Sequence, residues 1–531
     1  GSEMCIRDRL NSHYNAAEWE NKGYELPRFD IQAVRQKTFK EPTWIHFGGG
    51  NIFRAFPAAL LNDALNSGKY DRGVIVAETF DDEVIDKAYT PYDNLSLLVS
   101  LKSTGTIEKK VIASVTEALK ADPQLPDWKR LIDIFCNPTL QLVSFTITEK
   151  GYNFNEDDLA RGLNPQFALG KVTALLHARY KAGRLPVTLQ SMDNCSHNGS
   201  KLQAGVFAYA ERWAKDGLVS MEFVDYLKDE SKVTFPWSMI DKITPRPHAK
   251  VKALLEADGF EDNDYIETAR HTFTAPFVNA EETQYLIVED HYTNGRPPLD
   301  LGGVLFTSRE TVDKVETMKV TTCLNPLHTA MAIFGCLLGY DLISAEIADP
   351  DIRCLIQKIG YIEAMPVVVD PGILNPYEFI GVFINKRLPN PFMPDTPQRI
   401  AMDTSQKLAI RFGETIKKYI KRGLDRSNLV LIPLVLAAYA RYLKGIDDEG
   451  KPFNPSPDPL LNELQAMVSP LEIGHEDQDF SCLKALFSRK DIFGLDLYEA
   501  GFGPQIEAAV KALFAGKGSV RTTLHRYVMA R

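Results

Sequence analysis

WIHFGGGNIFRAFPAALLNDAL, residues 44 to 65, changes character twice. Trp44 to Phe47 reads as a short buried strand, the three glycines as a tight turn, and Phe53 to Leu65 as an amphipathic helix. GVIVAETF follows as a second buried strand, with the acidic Glu78 near its end. Strand, glycine turn, helix and a second strand closing on a carboxylate is the order of a dinucleotide-binding βαβ unit. A plain strand-to-helix turn is the competing reading. Under the first, Gly48 and Gly50 let backbone amides approach a pyrophosphate held at the positive end of the helix. Glu78 then accepts hydrogen bonds from ribose hydroxyls and repels a 2′-phosphate, which favours NAD over NADP. Its separation from the glycines exceeds the usual figure of about 20 residues, so Asp81 or Asp82 is expected to share the role. No GK[ST] follows the glycines, which counts against a P-loop.

Further strands are expected at Leu95–Leu101, at KKVIASV and at Leu140–Thr148, alternating with helical stretches such as LARGLNPQFALGKVTALLHARY. That alternation implies a mostly parallel sheet covered on both faces. From about residue 310 helix-period segments dominate, broken by the proline-rich links NKRLPNPFMPDTP and GKPFNPSPDP. The expected class is α/β: a Rossmann-like doubly wound domain over residues 36–309, then a mainly α-helical domain over 310–531. Residues 1–9, GSEMCIRDR, read as a cloning scar followed by translated sequencing adapter.

The chain of 531 residues is too long for one core. Its hydrophobic fraction of 44% and charged fraction of 24% are those of a soluble globular protein, and a net charge of −10 argues against nucleic acid or an anionic membrane as partner. The apolar run Leu429–Ala440 is too short for a bilayer and contains Pro433, and the N-terminus has no secretory pattern, so a cytoplasmic location is expected. Seven scattered cysteines without a CxxC pair fit reduced thiols. Ten histidines show no HExxH and no close pair, so no metal is expected, and an alcohol oxidation here needs a protein base.

ETMKVTTCLNPLH, Glu316 to His328, offers one. Lys319 has a carboxylate one helical turn ahead and apolar sequence behind it; an ammonium against an apolar wall loses solvation and exchanges protons nearer neutral pH. Asn325 and His328, three apart, face one side of any helix through them and can hydrogen-bond a substrate oxygen. The plainer reading is an amphipathic helix with a lysine at its edge. SMDNCSHNG puts Asp193, Asn194, His197 and Asn198 at a strand's carboxyl end, where open α/β sheets hold ligands, or is simply a polar turn. Asp241, in FPWSMIDKITPRPH, is either buried and paired or an exposed turn residue. Arg399 and Lys407, eight apart, lie about 80° apart on a helix and either grip an oxygen-rich ligand or mark a solvated face.

Taken together, GGGNIFRAF, TITEKGY, DNCSHNG, MIDKITP, KVTTCLNPLH and NPFMPDTPQRIAMDTSQK resemble, in order, the motifs of the polyol-specific long-chain dehydrogenases, the mannitol dehydrogenase family. The resemblance covers about residues 40 to 410. It implies metal-independent hydride transfer between NAD and a secondary alcohol, with Lys319 as acid/base, Asn194 and Asn325 holding the reacting oxygen, His328 orienting the substrate and Glu316 gating proton exchange. It further implies Arg399, Lys407, Asp241 and His328 as substrate contacts, and Gly48, Gly50, Asn51, Ile52, Arg54, Glu78, Asp81 and Thr148 as the cofactor side.

Departures from the family pattern point to a divergent branch. The lysine-to-asparagine separation is one residue longer than usual, and Pro326 follows Asn325, which implies a helix starting there or a bulge that restores the geometry. Ile240 and Lys242 stand where valine and arginine are usual. The wording around ITPRPH and CLNPLH, with Arg246 and His248 as extra cations, is closer to the uronate branch, which implies interconversion of D-fructuronate and D-mannonate. A mannitol 2-dehydrogenase or other polyol dehydrogenase, and a non-catalytic NAD-binding sugar sensor, are the alternatives. The expected partner is a small sugar acid or polyol, and the expected state a monomer.

Overall fold

The computed structural model describes residues 10–11, 14–260 and 262–531; the scar expected over residues 1–9 lies outside them. The chain divides into two compact units, one running to Asp313 and the other taking Lys314–Arg531 with Ser103–Gly105.

The first unit is built on six parallel strands: β1 Trp44–Phe47, β2 Val74–Glu78, β3 Val115–Lys120, β4 Leu142–Phe145, β5 Val187–Ser191 and β6 Val233–Thr234. Their order is β3-β2-β1-β4-β5-β6, the arrangement of a Rossmann-type sheet. Alternation along each strand sorts side chains to two faces. Ile45, Phe47, Ile75, Ala77, Val143, Phe145, Val187 and Leu189 share a core with the helices Asp127–Phe135, Ala168–Lys181, Asn198–Lys215 and Met221–Lys228. Trp44, Val74, Val76 and Leu142 pack on the other side with the helix Pro57–Asn66. Covered on both faces, β1, β2 and β4 are mainly apolar. Of the polar residues on β1, His46 has both ring nitrogens bonded to hydroxyls, Ser144 on β4 at 2.6 Å and Thr146 just after it at 2.7 Å, and stacks on Phe53.

Two strands expected in the parallel sheet lie elsewhere. Ser96–Leu101 and Ile107–Ile112 form an antiparallel hairpin within a separate sheet ordered Tyr24–Glu25, Ile107–Ile112, Ser96–Leu101, Phe277–Glu281. The link KSTGT, closed by Lys102 N–H to Thr106 O at 3.0 Å, is far too short for a parallel crossover. Their place at the parallel edge is taken by β3.

The second unit is helical among its described residues, apart from one isolated bridge, Ile446 to Pro452. Two helices apolar on nearly every side form its centre, Asn325–Leu338 and Leu431–Leu443. All thirteen residues of the latter are buried, and Pro433 is tolerated because it falls in the first turn, where the missing N–H has no helical partner. The fully buried Glu363 takes up that turn's free donors, accepting from Val430, Leu431 and Ile432 N–H. The stretch Arg309–Leu338 is long and apolar enough to cross a membrane, yet 83% of that window is buried inside the protein, as in a core helix.

Candidate functional site

In the first unit the candidate residues gather at the carboxyl ends of β1, β2, β4 and β5, where the strand order reverses. Gly48 has φ +115°, and a Cβ there would sit 2.1 Å from Thr146 O, so only glycine fits. Gly49 N–H donates to Glu78 Oε1 at 2.9 Å, and its carbonyl accepts from Tyr89. Gly50 differs: φ is −79°, and a Cβ would meet no protein atom within 4 Å. The turn is therefore closed from behind at Gly48 and open in front at Gly50, an open face that a dinucleotide's phosphates fit.

Asn51 and Ile52, half-buried, begin the helix Asn51–Ala55. Arg54, expected on the cofactor, is instead fully buried behind the turn, donating to Ala275 O at 2.9 Å, Asn51 Oδ1 at 3.0 Å and the Thr274 hydroxyl at 2.5 Å. Asp81, an expected ribose acceptor, is likewise engaged, by the hydroxyls of Thr268 and Thr272. Glu78 stands at the end of β2 as expected, but its second oxygen also accepts from Phe80 and Asp81 N–H. Burial pushes this carboxyl up and the three backbone bonds pull it down.

Asp193 joins TITEKGY to DNCSHNG. Its carboxylate accepts from Ile147 N–H at 3.0 Å, Thr148 N–H at 2.9 Å and the Tyr152 hydroxyl at 2.5 Å. Thr148 is held at φ 62°, ψ 165°, a region nearly restricted to glycine, and such strain persists only where neighbours over-determine it. Asn194, next in sequence, is exposed at the tip. Asn198 is buried and closes the turn from beneath, donating to the Ser191 and Asp193 carbonyls and bonding Ser238. His197 stacks on Trp237 and bonds Asp313. Asp241 is buried at the end of the strand Ser238–Asp241, which settles it against an exposed turn. His248 is no carboxylate-binding cation: its Nδ1 accepts from Lys250 N–H at a helix start, and burial lowers its affinity for a proton.

In the second unit the helix that ends at Met318 passes into a π turn, Lys319–Cys323, closed by Leu324 N–H to Lys319 O at 3.1 Å. Leu324 breaks the helix at φ −137°, and Asn325–Pro326 restarts it. The π turn absorbs the extra residue between Lys319 and Asn325, so both the restart and the bulge that the sequence implied are present. Lys319 is 7% exposed, and Glu316 is half-buried one turn before it. Asn325 and the half-buried His328 occupy the first turn of the next helix. Burial pushes the His328 imidazole down to about 4; Asp395 opposes this, while Arg411, Arg387 and Arg399 add to it. His328 is thus neutral at pH 7, edge-on to Phe383.

Arg399 and Lys407 do not share a helix. Arg399 closes the short helix Pro397–Ile400, Asp403 reverses the backbone at φ 56°, and Lys407 follows a separate 3-10 turn, Thr404–Gln406. Arg399 is paired in a two-toothed bridge with Asp395, both bonds 2.7 Å, and is largely exposed. Lys407 donates to Ile400 O, and burial, helped by the charge of Arg411, brings its ammonium down to about 8.

Residues 42–301 match the mannitol dehydrogenase Rossmann domain and residues 311–514 the mannitol dehydrogenase C-terminal domain. The chain belongs to the mannitol dehydrogenase family. Among relatives of this mannitol dehydrogenase family member, the D-mannonate oxidoreductase of Thermotoga maritima is 53% identical over 96% of this chain and 97% of its own. A substrate-free D-sorbitol dehydrogenase structure superposes with a TM-score of 0.78 at 24% identity, covering 97% of this chain and 99% of its own, a likeness of fold. The Pseudomonas fluorescens mannitol 2-dehydrogenase, solved with NAD and D-mannitol, gives 0.68 at 25% identity over 99% of this chain and 100% of its own.

Within this family member, three features escaped the sequence. The anchoring role of Asp193 depends on donors some 45 positions away. Asp395 and Arg387 looked like ordinary residues of a proline-rich link. Arg411, in KLAIRFGE, carried no signal beyond a lone charge in a helical stretch.

Proposed function

We propose that the protein is an NAD-dependent oxidoreductase interconverting D-fructuronate and D-mannonate. The observation that carries the reading is the π turn, with a buried lysine at its head and an asparagine and a neutral imidazole on the turn that follows. The identity of 53% to a D-mannonate oxidoreductase supports the choice of sugar acid. The open front of the Gly50 turn and the carboxylate ending β2 suit NAD, which when bound supplies or accepts the hydride.

In the reductive direction Lys319 delivers a proton to the oxygen of the ketone as it becomes an alkoxide, and in oxidation it takes that proton back. Asn194 and Asn325 donate hydrogen bonds to this oxygen, which strengthen as negative charge builds. Uncharged His328 orients a neighbouring hydroxyl without competing for the proton. Glu316 passes protons between Lys319 and solvent. Arg399, Lys407 and Asp241 hold the rest of the sugar chain. We infer a cytoplasmic monomer with no nucleic-acid or membrane partner, a reading that the net charge of −10 supports; light scattering after gel filtration tests the monomer.

The test of function follows absorbance in the reduced-nicotinamide band with fructuronate, tagaturonate, fructose, mannitol and arabinitol. Turnover of fructuronate far above the others is expected. Preference for mannitol and fructose would make it a hexitol dehydrogenase, and no response to any would leave a sensor. Lys319→Ala is expected to abolish turnover across the pH range while NADH still binds; near-normal rates would end the assignment.

A further inference from the structure

Two buried arginines that serve the fold, Arg179 and Arg441, have an acceptor at every side-chain nitrogen. Arg179 donates to five backbone carbonyls, those of Phe135, Asn137, Leu140, Leu185 and Pro186. Arg441 bonds the carbonyls of Leu513, Ile446 and Asp447. Arg399 is matched by Asp395. Arg411 is not like these. It lies on the π turn Ala409–Gly413, and both of its hydrogen bonds leave from one nitrogen, Nη1, to the Thr329 hydroxyl at 2.7 Å and Asn325 O at 3.4 Å. Among the described residues Nε and Nη2 have no acceptor, and no carboxylate pairs with it.

Burial alone lowers this guanidinium to about 10. A desolvated cation without a counter-ion is costly, and two hydrogen bonds from a single nitrogen offset only part of that cost. Its surroundings add positive charge. Lys407, one helical turn earlier, feels Arg411 and Arg399 against Asp403 and Asp458, and His328 feels three arginines against Asp395. The surplus lies between Asn325 and His328, assigned to the reacting end of the sugar, and Lys407, assigned to the rest of its chain, at whose far end the carboxylate stands. An unfilled planar fork with excess positive charge matches a carboxylate, which accepts two parallel N–H bonds. A neutral hexitol offers no such match.

We propose that Arg411 binds the carboxylate of the sugar acid and so selects uronates over neutral ketoses and polyols. The inference rests on the fructuronate reading above. In Arg411→Ala the KM for D-fructuronate is expected to rise about a hundredfold, with kcat changing only a few-fold. The ratio of kcat/KM for D-fructuronate to that for D-fructose, which carries a hydroxymethyl in place of the carboxylate, should fall by a similar factor. Added guanidinium should restore much of the KM, and Arg411→Lys should recover part of it. Arg411→Gln, which can still bond Thr329, provides the same comparison if the alanine variant does not fold. Equal losses on both substrates, or an unchanged KM, would overturn the proposal and leave Arg411 as a brace for Asn325. If the wild type reduces fructuronate and the variants keep its KM, this inference alone falls. If the wild type reduces no uronate, the functional reading falls and takes it along.

Discussion

Replacing Gly48 and Gly50 by alanine, one at a time, should give opposite phenotypes only two residues apart. At Gly48 the new Cβ meets φ +115° and the Thr146 carbonyl oxygen at 2.1 Å, with Thr146 C and Oγ1 at 2.9 Å. The left-handed backbone costs about 1–2 kcal/mol for a residue with a Cβ. Pushing the end of β4 aside adds about 1–3 kcal/mol, and the lower entropy of the unfolded chain returns less than about 1 kcal/mol. Gly48→Ala should therefore destabilise the first unit by about 3 kcal/mol. At Gly50 the backbone is ordinary and the space around the Cβ holds no protein atom, so Gly50→Ala should unfold within about 0.5 kcal/mol of wild type. Its cost should appear instead in NADH affinity, as a loss of about tenfold or more, because the methyl enters the space where phosphates approach. Urea unfolding followed by the fluorescence of Trp44, which lies on β1, measures the first effect, and NADH titration the second. A Gly48→Ala protein as stable as wild type, or a Gly50→Ala protein that binds NADH normally, would refute this account of the turn.

Asp193→Asn removes a carboxylate that receives three donors, so a loss of about 2–3 kcal/mol in stability is expected, together with a fall in kcat as Thr148 and Asn194 drift; unchanged unfolding and kcat would remove Asp193 from its anchoring role. Lys407, lowered to about 8, is charged below that pH and neutral above it, so the KM for a sugar acid should climb up to about tenfold between pH 7 and 9, and Lys407→Arg should flatten the rise. His46 is held neutral in the fold, its imidazole pushed down to about 3 by burial, whereas the unfolded chain takes up that proton below about 6.5. Stability from this residue is complete above pH 6.5 and is lost as pH falls toward 3, by at most about 1.4 kcal/mol per unit; His46→Gln should show a shallower acid slope in calorimetric melting.

Legibility followed sequence distance. The glycine turn and the lysine segment are each contiguous, so their residues reach one place by local geometry alone, and both were readable. Ser96–Leu101 was readable as a strand but not as part of a particular sheet, since an apolar run looks alike in either; only the brevity of KSTGT marks the hairpin. Arg54 and Asp81 were assigned to the cofactor because they follow the right motif, whereas their partners Thr274, Thr268 and Thr272 come from 187 to 220 positions later. The expected single helix through Arg399 and Lys407 failed at Asp403, whose left-handed backbone no periodicity reveals. Arg411 was invisible for a different reason: among the described residues two of its nitrogens lack an acceptor, and a lack has no spacing to read.

The π turn that begins at Lys319 makes the spacing of this lysine from Asn325 a matter of counting. Substitutions at Val320, Thr321 or Thr322 leave the tally of residues intact, while deleting any one of them removes the residue that the widened turn absorbs and lets an ordinary helix run through with the flanking residues still in phase. Related chains should therefore come in both lengths across this stretch, and a natural homologue one residue shorter there should have lost the widened turn.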